Sequence, residues 1–183
     1  MKRQMLTYLC LCLLLMLTGC NKLKEANKNN YISYQQIPES YSLEDAKRDN
    51  CVVFEDLTLT SGEEVWKDFL EKTKKQQEAF IRIANYYPAT NLKEEVMFLS
   101  DVCYNGETYH YYYAYQDEEI DQDYLYLLHY QGDLNKEAIF SKYEQYVLTN
   151  DSTLTYEYIQ HMWLSSQAVT WIDYQQIYCI FYD

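Results

Sequence analysis

Residues 95–116 read EVMFLSDVCYNGETYHYYYAYQ, and their alternation decides the fold. Asn105-Gly106 is the strongest turn signal in the chain, because both central residues of a type I′ turn need positive φ and this dipeptide accepts it at little cost. Residues 95–104 and 107–116 flank it as two strands. A two-residue turn would set Val102 opposite Tyr109, Ser100 opposite Tyr111, Phe98 opposite Tyr113 and Val96 opposite Tyr115 on one face. The other face would join Cys103 to Thr108, Asp101 to His110, Leu99 to Tyr112 and Met97 to Ala114. Both faces are largely apolar, so the hairpin is expected deep in a sheet with cover on either side.

Working outward, Tyr41-Ser42-Leu43-Glu44-Asp45-Ala46 places Ser42 and Asp45 at capping-box spacing and predicts a short helix ending near Asn50. Cys51-Val52-Val53-Phe54-Glu55 predicts a strand. Thr60-Ser61-Gly62-Glu63-Glu64 opens a helix whose apolar stripe carries Val65, Trp66, Phe69 and Leu70, with Lys72, Lys74 and Lys75 at its C-terminal end. Phe80 to Tyr86 alternates as a strand that Pro88 stops. On the far side of the hairpin, Asp117 to Asp123 reads as an acidic loop and Tyr124 to Tyr130 as a strand ended by Gly132. A short helical turn is expected over residues 135–142, and a strand over Tyr143 to Thr149. Asp151 and Ser152 then offer caps for a helix bearing Leu154, Tyr158, Ile159, Met162 and Trp163, and Ile177 to Tyr182 closes the fold as a strand. The expectation is α+β: a mostly antiparallel sheet with two or three helices packed on it, in a single domain over residues 39–183.

Composition bounds the function. The chain has 183 residues, 48% of them hydrophobic, which is ample for a core. Its formal net charge is -13, with 28 acidic residues against 15 basic. That balance argues against nucleic-acid binding, which needs Lys and Arg to neutralise phosphates. Twenty-two tyrosines against four glycines and two prolines exclude collagen-like and Pro-rich classes.

The first twenty residues read MKRQMLTYLCLCLLLMLTGC. Lys2 and Arg3 precede an apolar run from Met5 to Leu17, shorter than a spanning helix needs. The run ends in Leu17-Thr18-Gly19-Cys20, which resembles the lipobox of bacterial lipoproteins. The resemblance implies a signal peptide over residues 1–19, diacylglycerol in thioether linkage on Cys20, cleavage before it, and anchorage on the extracytoplasmic face of the cell membrane. Two acyl chains give stable anchoring where one is marginal. Removing Lys2 and Arg3 takes the formal charge from -13 to -15, so the domain is expected to stand off an anionic surface. Residues 20–38 are expected to be the lipidated Cys and a solvated tether, in which Lys22, Lys24 and Lys28 could touch headgroups. Asn, not Asp, follows Cys20, so a Gram-negative inner-membrane retention signal is absent. The abundance of Tyr, Lys, Asn and Ile fits a low-GC Gram-positive source.

Four motifs resemble a family of small, uncharacterised lipoproteins from Gram-positive bacteria. They are Tyr41 to Ala46, Cys51-Val52-Val53, Phe69-Leu70 and Ile81-Arg82-Ile83. With the Asn105-Gly106 hairpin they cover residues 41–116. The resemblance implies a fold but no activity and no catalytic residues.

No sequence pattern demands a cofactor or a metal. Asp117, Glu118, Glu119, Asp121 and Asp123 miss the Gly and Glu positions of an EF-hand, and His110, His129 and His161 are too scattered for a zinc motif. A weak ion site in the acidic loop stays open beside a solvated turn. No G-x-S-x-G elbow and no glycine-rich phosphate loop occurs. Cys51, Cys103 and Cys179 fall on predicted strands and are read as buried thiols or one disulfide plus a free thiol, in preference to a nucleophile. Cys51 with Cys179 would join the first and last strands, but the pairing is open. The candidate catalytic pair is Asp101 with His110, and its alternative is an ordinary cross-strand pair.

The candidate ligand-binding residues are Tyr109, Tyr111, Tyr113 and Tyr115, on one face of one strand. Open, they form a platform that stacks on sugars or peptides. Covered by the helix carrying Trp66 and Phe69, they are core, which is the preferred reading. The functional expectation is therefore a membrane-tethered, non-enzymatic domain binding a protein or cell-wall partner. Its alternatives are a small-ligand or ion-binding lipoprotein and an enzyme using Asp101 and His110.

Overall fold

The computed structural model describes residues 31–91, 93–134, 138–164 and 172–183. The signal sequence and Cys20 lie outside the described residues. Among those described, no helix is long and apolar enough to cross a membrane.

The fold is α+β and mostly sheet. Helix α1 (Leu43–Arg48) opens on the expected capping box. The Asp45 amide donates to Ser42 Oγ at 3.2 Å, and the Ser42 amide donates to the Asp45 carboxylate at 2.9 Å. Strands β1 (Val52–Glu55) and β2 (Thr58–Ser61) form a hairpin, and helix α2 (Glu63–Lys74) follows. Trp66, Phe69 and Thr73 of α2 recur at helical spacing and are buried. Its outer face carries Lys67–Glu63 and Lys72–Asp68 pairs at 2.8 and 2.6 Å. Solvent screens these exposed pairs, so they add little to stability. Strands β3 (Ala79–Tyr87), β4 (Val96–Tyr104), β5 (Tyr109–Tyr115) and β6 (Glu118–Tyr124) complete a six-stranded sheet in the order β2-β1-β3-β4-β5-β6. One pair, β1 with β3, is parallel, and α2 lies in the crossover between them. Strands β7 (Tyr126–Asp133), β8 (Lys142–Thr149) and β9 (Tyr174–Tyr182) form an antiparallel three-stranded sheet, and α3 (Tyr156–Leu164) lies between β8 and β9 in sequence.

Three apolar clusters bind these layers. The main one joins Val52, Ile81, Ile83, Val102 and Tyr111 of the large sheet to Trp66 and Phe69 of α2 and to Tyr146, Leu148 and Ile177 of the small sheet. On the opposite face of the large sheet, Val53, Ala84 and Leu99 are covered by Ala46 of α1 and by Tyr31, Tyr34 and Ile37. The third cluster packs Leu154 and Ile159 on Val147.

The structure corrects several expectations. The central hairpin pairs Tyr104 with Tyr109, Val102 with Tyr111 and Ser100 with Tyr113, two residues out from the register expected of a two-residue turn. Only Gly106 of the dipeptide has positive φ, at 99°. Asn105 Oδ1 accepts the amides of Glu107 and Thr108 at 2.9 and 2.8 Å, which caps a four-residue loop in place of the tight turn. A slip of two keeps every side chain on its expected face. The acidic segment 117–123 is mostly strand β6, not a loop, with Gln116 at φ 53° in the turn before it. Thr58–Ser61 is an unforeseen strand. Residues 138–141 are not helical, and the rest of the expected turn includes residues outside those described. Helix α3 is capped by Thr155, whose hydroxyl accepts the Tyr158 amide, while Asp151 holds Thr153. Residues 31–37, read as the end of a solvated tether, pack on the sheet, with Tyr31 buried.

Candidate functional site

The tyrosine row is not an open platform. Tyr109 and Tyr111 are buried in the main cluster, and the Phe69 and Tyr109 ring centroids lie 6.5 Å apart. Burial pushes the Tyr111 hydroxyl up to about 12. Tyr113 and Tyr115 are half-buried and rest against Phe98, at 6.5 and 4.7 Å between centroids. The row thus runs from core to rim, and the α2 side chains cover its inner half.

Asp101 and His110 do not meet. The true register puts Asp101 opposite Tyr112 and beside Arg82, whereas His110 stands between Cys103 on β4 and Asp123 on β6. His110 Nδ1 lies 2.8 Å from Asp123 Oδ1, and Nε2 lies 3.4 Å from Asp121 Oδ1. Cys103, His110 and Asp123 therefore form a row across three strands, the arrangement from which a thiol nucleophile could be built. Its electrostatics oppose that use. Burial pushes the Cys103 thiol up, and Glu78, Asp101 and Asp123 push it further, so the thiolate is disfavoured. Both ring nitrogens of His110 face carboxylates and are committed there.

Cys51, Cys103 and Cys179 are free thiols. Burial pushes Cys51 and Cys179 each up to about 11, so both behave as small apolar side chains at neutral pH. Among the described residues, no group of three or more His, Cys, Asp or Glu side chains is placed to hold a metal ion.

Two clefts remain. The smaller, about 480 Å³, lies against Trp66, Tyr146 and Tyr178. Trp66 stacks on Tyr178 with centroids 4.6 Å apart, and Glu63, Lys67 and Glu144 give its walls mixed charge. The larger, about 810 Å³, opens between the 34–44 segment and the ends of β3, β4 and β5. Tyr34 builds it. The Tyr34 hydroxyl lies 2.8 Å from the Leu99 carbonyl oxygen and 2.9 Å from that of Ala114, and it accepts the Ala114 amide at 3.2 Å. It stands as a wedge where β4 and β5 part. Half-buried Ile37, Leu43, Val96 and Met97 supply apolar surface, and exposed Glu39, Glu44 and Glu95 supply the charge. Tyr86 Oη donates to Glu95 Oε2 at 2.8 Å.

Sequence reasoning missed this groove because one wall comes from residues assigned to a tether. The available signal was the spacing of Tyr31, Tyr34, Ile37 and Tyr41, apolar groups recurring in a polar stretch. Compared with known families, curated proteins and solved structures, the chain matches none.

Proposed function

We propose that this chain is a lipid-anchored, extracytoplasmic binding protein of a bacterial cell. One observation carries the reading: Leu17-Thr18-Gly19-Cys20 follows the basic Lys2-Arg3 and the apolar run from Met5 to Leu17. The attachment point suits a short leash. Ten residues lie between Cys20 and the buried Tyr31, a reach of at most about 40 Å. The binding half of the reading is favoured by the groove and by the unreactive setting of Cys103 and His110.

The test is metabolic labelling with an alkyne-tagged palmitate in a bacterial host, followed by membrane fractionation and mass spectrometry. The wild-type chain is expected to carry label, to start at Cys20 and to sediment with membranes. Cys20→Ala is expected to lose the label and to retain its leader. A labelled Cys20→Ala protein, or a wild type with residues 1–19 intact, would refute the proposal.

A further inference from the structure

We infer that the groove beside Tyr34 binds a cationic peptide segment of another extracytoplasmic protein, one that carries aliphatic side chains among its Lys or Arg. This deepens the binding reading above and is independent of the lipid.

Three features converge on that occupant. The first is charge. Glu39, Glu44 and Glu95 line the groove, and no Lys or Arg does. Lys47 reaches Glu44 at 3.6 Å from outside the lining, so Glu39 and Glu95 supply most of the negative field, on a chain whose net charge is already -13; that field draws cations in and disfavours acidic polymers and anionic headgroups. The second is apolar surface. Ile37, Leu43, Val96 and Met97 are half-buried and accept aliphatic side chains, a use that a purely cationic polymer would leave empty. The third is backbone. β4 pairs with β3 along its whole length, from Val96 with Tyr87 to Tyr104 with Ala79, but it pairs with β5 only over Ser100–Tyr104. Over Val96–Leu99 the β5 side of β4 has no strand partner among the described residues, and Tyr34 Oη reaches the Leu99 carbonyl there. A bound peptide would hydrogen-bond that edge at Val96 and Met97 only, because the Tyr115 ring still flanks Phe98 with centroids 4.7 Å apart. The peptide's aliphatic side chains would rest on Ile37, Leu43 and Met97, and its cations would reach the exposed carboxylates beside them. The Glu carboxylates would then accept charge-assisted hydrogen bonds from Lys or Arg.

The probe is fluorescein-labelled Lys-Leu-Lys-Val-Lys, titrated by anisotropy against the full chain in detergent micelles. Wild type is expected to bind it, and added salt to weaken binding. The triple variant Glu39→Gln, Glu44→Gln, Glu95→Gln is expected to lose at least tenfold in affinity with an unchanged melting temperature. A control triple, Glu71→Gln, Glu107→Gln, Glu157→Gln, changes net charge equally on surfaces away from the groove and is expected to bind within twofold of wild type. Equal losses in both triples would reduce the effect to net charge and overturn the inference, as would absence of wild-type binding. Binding of an N-acetylglucosamine tetramer in place of the peptide would also overturn it, by assigning the groove to glycan. Cys20→Ala is expected to bind the probe as wild type does, so failure of the lipid anchor and failure of the groove are read separately.

Discussion

Arg82 and Asp101 face each other at paired positions of β3 and β4, with Arg82 Nε 2.6 Å from Asp101 Oδ1 and Nη2 2.8 Å from Oδ2. Arg82 is 1% exposed. The rings of Tyr31 and Tyr34 lie over its guanidinium at 5.4 and 5.7 Å. Burial pushes the Asp101 carboxyl up, and the guanidinium opposes that push. The pair therefore sits under the same segment that builds the groove, and its two charges depend on each other for solvation.

Removing one partner leaves the other charge buried and uncompensated. Arg82→Ala and Asp101→Ala are each expected to cost about 3–5 kcal/mol. The double variant Arg82→Met, Asp101→Leu is expected to recover most of that loss, because it removes both desolvation penalties and fills the space. Urea denaturation of the three proteins checks this. Single variants within 1 kcal/mol of wild type would contradict a buried, mutually dependent pair.

Tyr34→Phe keeps the ring over Arg82 and deletes the hydroxyl that bridges Leu99 and Ala114. The expected cost is about 1–3 kcal/mol, the penalty for leaving buried backbone groups unpaired. Hydrogen exchange should localise the effect, with faster exchange at the Ala114 amide and little change at Val102. Uniform acceleration across the sheet would argue against a local wedge.

Gly62 has φ +80°, and a Cβ placed there would lie 2.3 Å from the Cys51 carbonyl oxygen and 2.7 Å from Val52 Cα. Both neighbours are main chain and cannot rotate aside. Gly62→Ala is expected to cost roughly 2–5 kcal/mol, from left-handed strain together with overpacking. A melting temperature within a degree or two of wild type would contradict the close approach of α2 to β1.

Alkaline pH should unfold the protein. Burial holds Tyr111, Tyr124 and Tyr178 at about 12 in the folded state, against an ordinary value of 10.0. Between those values the unfolded chain releases protons that the folded chain keeps, so stability is complete below pH 10 and falls as pH rises. Each such tyrosine contributes a slope approaching 1.4 kcal/mol per pH unit at most. Tyrosinate absorbance is expected to show an exposed class titrating near pH 10 and a buried class appearing only with loss of circular dichroism. A single titration near pH 10 with the fold intact would refute the assignment.

Local features were legible wherever neighbours in sequence supply the energy. The Ser42–Asp45 cap, the Trp66 and Phe69 stripe and the Phe80–Tyr86 alternation each needed only residues within one turn or strand. The hairpin register did not, because the Asn105 side chain outbid the ladder for the Thr108 amide, and both turns satisfy the same dipeptide. Strand β6 was hidden by its charges. It is an edge strand, and Glu118, Glu119, Asp121 and Asp123 are exposed along it, as suits an edge that must not recruit another chain. Its acidity therefore looked like loop. The groove was illegible for a different reason: Tyr34 bonds to residues 65 and 80 positions away.

The sequence by itself determined helices α1 and α2, strands β1 and β3 and the sides on which the hairpin side chains point, since each depends on local period or on short motifs. Only the tertiary structure decided that the tyrosine row is core, that Asp101 belongs to Arg82 and that Tyr34 splits β4 from β5. These depend on which distant surfaces meet, and a two-residue slip in pairing changes every partner while leaving the periodicity intact.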